Sequence, residues 1–199
     1  MSIRPYRPDD LPALRRVCVL TGHAGTDATG LWSTDDLLPD TFLEPYVTLA
    51  PDTAWTVEQD GRPVGYLVAA LDTESFAARW RDEWTPVFAS RHSRVADDPA
   101  EQWLHDFGYD PSWMVGPQVD AFPAHLHIDL LPEAQGSGYG RGLMRQLGLA
   151  AVAAGVPGIH LGMARDNVPA LAFYRRLGFR ELPVGGGALV LGIDPRALL

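Results

Sequence analysis

The chain of 199 residues contains no lysine: all 16 of its basic residues are arginines, set against 25 acidic residues for a formal charge of -9. Binding to nucleic acid rests on neutralising phosphates, so this balance speaks against an unaided nucleic-acid partner. Cysteine is nearly as scarce. Cys18 stands alone, which excludes an internal disulfide framework. No window approaches the roughly 18 consecutive apolar residues of a membrane-spanning helix, and the opening MSIRPYRPDD lacks the apolar core of a signal peptide. Cytoplasmic residence without a membrane partner is the expectation, and no fixed-period repeat suggests a solenoid. What is present, 46% hydrophobic residues, suffices for one well-cored domain over residues 1–199.

Strand and helix alternate from the start. Residues 3–6 read as a strand, after which Asp9 and Asp10 can cap a helix whose apolar stripe is Leu11, Leu14, Val17, Cys18 and Thr21; Cys18 is expected in the core. Residues 22–39 read as a loop and 40–49 as a short helix. AWTVEQDGRPVGYLVAAL holds two strand-like runs around Asp60-Gly61, a dipeptide suited to a tight hairpin. The stretch 73–122 differs, with four of the six tryptophans and with Phe76, Trp80, Trp84 and Phe88 four apart, as on one helix face that Pro86 should interrupt. It is either an added layer of core or, in part, the wall of a substrate pocket. Its nine acids and four arginines would favour a cationic substrate if the acids face that pocket.

AHLHIDLL alternates Leu126, Ile128 and Leu130 with His125, His127 and Asp129, so one strand face carries three ionisable side chains. Next comes the glycine cluster of DLLPEAQGSGYGRGLM, then a helix with Leu143, Leu147, Ala150 and Ala154 at helical spacing and Gly155 as its stop. GIHLGMA reads as a short buried strand. DNVPALAFYRRLGF reads as a helix capped by Asn167, with Pro169 in its first turn and Gly178 at its end. Strands near 180–182 and 188–193 flank the glycines 185–187.

A strand, a glycine-rich turn and a helix in succession aim backbone N–H groups outward at the positive end of a helix, which is an anion site. A Walker-type loop requires lysine and is excluded; a dinucleotide fingerprint needs a G-x-G-x-x-G spacing that GSGYGRG does not contain. The remaining pattern is Gln, two residues, Gly, one residue, Gly, met by Gln135, Gly138 and Gly140. With NVPALAFYRRLGF and the opening IRPYRPDDLPALRRV, this resembles the GNAT superfamily of acyl-CoA-dependent N-acetyltransferases over about residues 1–70 and 124–193. HLHIDLLPEAQGSGYGRGLM more narrowly resembles the acetyltransferase-like domain that accompanies O-GlcNAc hydrolases in animals and its stand-alone bacterial relatives.

The resemblance implies an α/β (α+β) fold: a central mixed, twisted sheet of about seven strands flanked by helices, with the aromatic-rich helical insertion before the central strand. It implies acetyl-CoA as cofactor, its pyrophosphate on main-chain amides from Gln135 through Gly136, Ser137, Gly138, Tyr139 and Gly140 to Arg141, and its pantetheine arm between two splayed parallel strands. The residues agree, since glycines permit positive φ and close approach of backbone to phosphate, and Arg141 can add a charge-assisted contact. Tyr174 occupies the position of the family's tyrosine, the general acid for the departing thiolate; Asn167 caps its helix and can orient the cofactor. Asp129 is the leading base, since burial would raise its pKa, with His127 and His125 next. A main-chain N–H near Leu130 or Leu131 would meet the oxyanion.

The acceptor is a small amine or a protein lysine, and a homodimer is left open. Two rival readings stand. His125, His127 and Asp129 have ligand-competent spacing for a divalent metal in a hydrolase, although no metal is expected. A module that binds acetyl-CoA without transferring its acetyl group is the other.

Overall fold

The computed structural model describes residues 2–184 and 188–199; glycines 185–187, expected between the last two strands, lie outside the described residues. Strand β1 (Ser2–Pro5) leads through a single turn into helix α1 (Leu11–Thr21). The Asp10 carboxylate does not cap α1; it accepts from Arg7 N–H (2.9 Å) and pairs with Arg4 (2.6 Å), pinning the turn to β1. The helix expected over 40–49 is two helices, α2 (Leu37–Phe42) and α3 (Glu44–Leu49). The break falls at Leu43 (φ -130°) because Pro45 has no N–H to continue the ladder and belongs in a first turn.

Strands β2 (Ala54–Gln59) and β3 (Arg62–Ala70) form the expected hairpin, with Asp60 at φ 51° and Gly61 at φ 78°, the two positive values a type I′ turn requires. In the insertion, α4 (Thr73–Arg79) is capped by Asp72. A wide, π-type turn over Trp80–Trp84 follows, then α5 (Thr85–Arg91), α6 (Gln102–Tyr109) and short turns. The interruption expected from Pro86 is that wide turn, which places Pro86 in the first turn of α5. Phe76, Trp80, Trp84 and Phe88 are all buried, so the four-residue spacing marks core.

The remaining elements are β4 (Ala124–Leu130), α7 (Tyr139–Ala153), β5 (Ile159–Met163), α8 (Val168–Leu177), β6 (Arg180–Glu181) and β7 (Leu189–Ile193). The described residues form one seven-stranded sheet in the order β1-β2-β3-β4-β5-β7-β6, antiparallel everywhere except β4–β5. That parallel pair is joined only at Ala124–Ile159 and His125–His160; beyond His125 the strands diverge.

Each sheet face buries its own core. On one, Leu67, Ala69 and Leu126 pack with Leu143, Met144, Leu147 and Ala151 of α7; the buried stripe of that helix runs through Met144 and Ala151 rather than Ala150 and Ala154, and Gly155 (φ 71°) ends it as expected. On the other, Tyr66, Val68 and Ala70 meet α1, α3 and the insertion. Among the described residues no helix is long and apolar enough to cross a membrane.

Candidate active site

The fork between β4 and β5 opens toward the glycine turn. Gly136 (φ 71°) and Gly138 (φ 86°) both hold the left-handed backbone that favours glycine, and a Cβ on either would meet nothing within 4 Å. Their open surroundings leave the backbone bare to a ligand. Directly after Gly138 begins α7, 15 residues long with no acidic side chain in its first turn, so the positive end of a long helix points out of the turn. Gln135 does not supply the expected main-chain donor: its N–H is taken by Pro132 O (3.1 Å), and its Nε2 donates to Leu130 O (2.9 Å), bracing the turn against the strand end. Ser137 is exposed and only grazes Gln135 O (3.5 Å), and Tyr139 is half-buried. Arg141 is exposed and has no ion-pair partner among the described residues.

Gly140 serves a different purpose from its neighbours. It is helical, and a Cβ there would stand 3.1 Å from the Phe173 ring, so its bareness brings α7 and α8 together rather than freeing a dihedral. The expected cap of α8 is present, Asn167 Oδ1 accepting from Ala170 N–H (3.1 Å), and Gly178 (φ 99°) ends the helix.

Helix α8 carries Tyr174, buried between Phe173 and Phe179, with no hydrogen-bond partner for its hydroxyl among the described residues. Burial, and then the Asp129 charge, push the phenol well above its ordinary range, so it stays protonated. Asp129 sits across the fork on β4, closely surrounded by protein yet partly open to solvent. Burial raises its pKa, opposed by hydrogen bonding to Tyr66 and Thr21; the Tyr66 hydroxyl donates to its Oδ2. Cys18 is core, as expected, and burial pushes its thiol pKa up. Of the two main-chain donors expected for an oxyanion, Leu131 N–H is taken by Val64 O (2.9 Å). Alternation along the ladder turns Leu130 N–H the other way, toward the edge where β5 has left.

His125 and His127 project from the same face as Asp129, and both converge through Nε2 on one hydroxyl, that of Tyr46 on α3 (2.9 and 3.1 Å). His125 Nδ1 lies 2.7 Å from Thr73 Oγ1, which donates to Pro123 O (2.6 Å). Desolvation pushes His125 well below its ordinary pKa and His127 down to about 4, so both rings are neutral near pH 7. Among the described residues no group of three or more His, Cys, Asp or Glu is arranged to hold a metal ion; the histidine pair surrounds a hydroxyl instead.

From His127 an aromatic wall runs outward: Phe42 lies 5.3 Å from it and contacts Trp103, Phe107 and Trp113 of the insertion. The wall ends on half-exposed Trp32 and exposed Trp103. A separate charged cavity of about 450 Å³ is bounded by Arg15, Asp36, Asp40, Glu44, Arg91 and His92. Tyr46, Tyr66 and Thr73 had no signal in the sequence beyond lying in elements next to β4; only strand register and helix packing bring them to the site.

The chain matches the Acetyltransferase (GNAT) family over residues 23–179. It is similar to the crystal structure of SsHAT, with a TM-score of 0.90 and 41% identity over 98% of each chain. The PaiA N-acetyltransferase from Thermoplasma acidophilum, in complex with coenzyme A, has a TM-score of 0.56 at 14% identity over 97% of this chain and 98% of that one, a likeness of fold. Protein O-GlcNAcase of Rattus norvegicus is 22% identical over 187 residues, covering 91% of this chain but 20% of that protein. The chain therefore spans about a fifth of the length of the curated relatives it matches.

Proposed function

The chain belongs to the GNAT family of acetyltransferases, and from that premise we propose that it transfers the acetyl group of acetyl-CoA to a primary amine by direct attack through a tetrahedral intermediate. One observation carries the reading: beside an open, positively polarised glycine turn, the buried Tyr174, an acid kept protonated, lies close enough to Asp129, a carboxylate with a raised pKa, for the Asp129 charge to act on its phenol.

The turn fits a pyrophosphate. Two left-handed glycines with free space above them, the N–H groups opening α7 and the exposed Arg141 supply backbone donors and one charge. Acetyl-CoA, when bound, supplies the activated thioester. This chain's residues do the rest. Leu130 N–H meets the oxygen on which charge develops. Asp129 takes a proton from the amine nitrogen as the C–N bond forms, with His127 beside it on the strand. Tyr174 gives its proton to the thiolate as the C–S bond breaks.

The acceptor approaches along the aromatic wall, which suits a small amine or a lysine side chain. The test is thiol release from acetyl-CoA across a panel of amines, run beside calorimetry with acetyl-CoA. Binding with thiol release in wild type, and loss of release in Asp129→Asn, is expected. Absence of binding at millimolar cofactor overturns the reading; binding without release for any amine leaves a cofactor-binding module in its place.

A further inference from the structure

The heavy atoms around His125 and His127 dictate where the hydrogens lie. Thr73 Oγ1 is 2.6 Å from Pro123 O, an oxygen that can only accept, so the single hydroxyl hydrogen of Thr73 lies between them. Thr73 Oγ1 is therefore an acceptor toward His125 Nδ1 at 2.7 Å, and that nitrogen carries the ring's hydrogen. A neutral imidazole has one N–H; His125 Nε2 is then a lone pair, and the Tyr46 hydroxyl must donate to it at 2.9 Å. With its hydrogen so placed, Tyr46 Oη accepts from His127 Nε2 at 3.1 Å, which puts the hydrogen of His127 on Nε2. The end of the chain is His127 Nδ1, a bare lone pair on a half-buried side chain, with no hydrogen-bond partner among the described residues.

We propose that His127 Nδ1 is a dedicated hydrogen-bond acceptor for the N–H of the incoming amine, and that Thr73, His125 and Tyr46 are positioning residues that lock it in this tautomer. The assignment rests on the acetyltransfer reading. His127 and Asp129 share a face two residues apart on β4. A primary amine offers one N–H to His127 and a second to Asp129 while its lone pair stays free to attack, which a hydroxyl with its single hydrogen cannot do. The site thus selects an –NH₂ group, and its selectivity depends on a hydroxyl, that of Thr73, three hydrogen bonds away from His127.

Nitrogen-15 NMR of the histidine rings reads the order directly, whether or not the protein transfers acetyl groups. Wild type should show His127 protonated at Nε2 and His125 at Nδ1. Thr73→Val, which removes the acceptor for His125, should reverse both rings, and Thr73→Ser should restore the wild-type pattern. Adding n-butylamine should displace the His127 Nδ1 resonance, while n-butanol at the same concentration should not. In the transfer assay Thr73→Val should raise the amine KM about tenfold, the loss of one hydrogen bond, with the acetyl-CoA KM and kcat little changed, and Thr73→Ser should reverse that rise. A wild-type His127 protonated at Nδ1, or a resonance unmoved by butylamine, overturns the proposal. Loss of acetyl transfer with the ring pattern and the butylamine response intact overturns the acetyltransfer reading instead.

Discussion

Tyr66 and Asp129 stand in register on β3 and β4, and the tyrosine hydroxyl donates its hydrogen to the carboxylate. This bond sets the operating range of the proposed base. Burial alone raises the Asp129 pKa, and Tyr66 holds it down by stabilising the anion. A base must be ionised to act, so kcat/KM should rise with pH through the Asp129 pKa. Tyr66→Phe removes the stabilising donor and should move that acidic limb to higher pH by about one unit, the worth of one hydrogen bond. The pH profile of the two proteins measures it; a limb that stays in place removes Asp129 from the role.

Tyr174 sits apart from the polar chain, its hydroxyl without a hydrogen-bond partner among the described residues. Tyr174→Phe keeps the ring packed between Phe173 and Phe179 while deleting the proton for the leaving thiolate. The expected outcome is a fall in kcat of about 10²- to 10⁴-fold, the usual contribution of a positioned general acid, with acetyl-CoA affinity within a factor of two or three by calorimetry. Equal rates in the two proteins would leave the thiolate to take its proton from water.

The glycines of the turn should separate by phenotype. Gly138→Ala places a Cβ in open space but holds alanine at φ 86°, a left-handed strain of about 1–2 kcal/mol. Relief comes by turning the peptide, which would redirect the N–H groups aimed at the pyrophosphate, so acetyl-CoA affinity should fall about tenfold. Gly140→Ala meets Phe173 instead, pressing α7 away from α8. Thermal melting should register Gly140→Ala more strongly than Gly138→Ala, and calorimetry with acetyl-CoA the reverse.

Local chemistry made much of this legible. Asp60-Gly61 is a hairpin because both residues tolerate positive φ, Asn167 and Gly178 bound α8 as cap and stop, and the alternation of HLHIDLL puts three ionisable groups on one face of β4. What those groups touch was not legible. Tyr46 reaches His125 across 79 residues of sequence and Thr73 reaches it across 52, contacts created when α3 and α4 pack on the sheet and unmarked by periodicity or spacing. The two roles of glycine in GSGYG were likewise merged in the sequence, because backbone hand at Gly138 and helix contact at Gly140 both read as a missing side chain.

A second long-range device, around Asp40, governs stability rather than chemistry. The carboxylate is fully buried on α2 and accepts from Arg15 (2.6 Å), Arg91 (3.0 Å) and His92 (2.7 Å), with Glu44 also joined to both arginines. Arg91 and His92 belong to the end of α5, so the network ties the insertion to the body of the fold. Burial works to raise the Asp40 pKa, and hydrogen bonds from His92 and Arg15 together with the arginine charges overcome it, leaving the group below its ordinary value. A folded pKa below the unfolded one means that the contribution is complete above about pH 4 and is lost as pH falls through the folded value. Asp40→Asn replaces a buried, multiply hydrogen-bonded carboxylate by an amide and leaves Arg15 and Arg91 with Glu44 as their remaining anion, which should cost about 1–3 kcal/mol at pH 7. Urea denaturation of both proteins at pH 7, 5 and 3.5 should show a constant gap between the first two and a narrowing gap at the third. A gap that persists unchanged at the lowest pH would mean that Asp40 acts through packing and not through its charge.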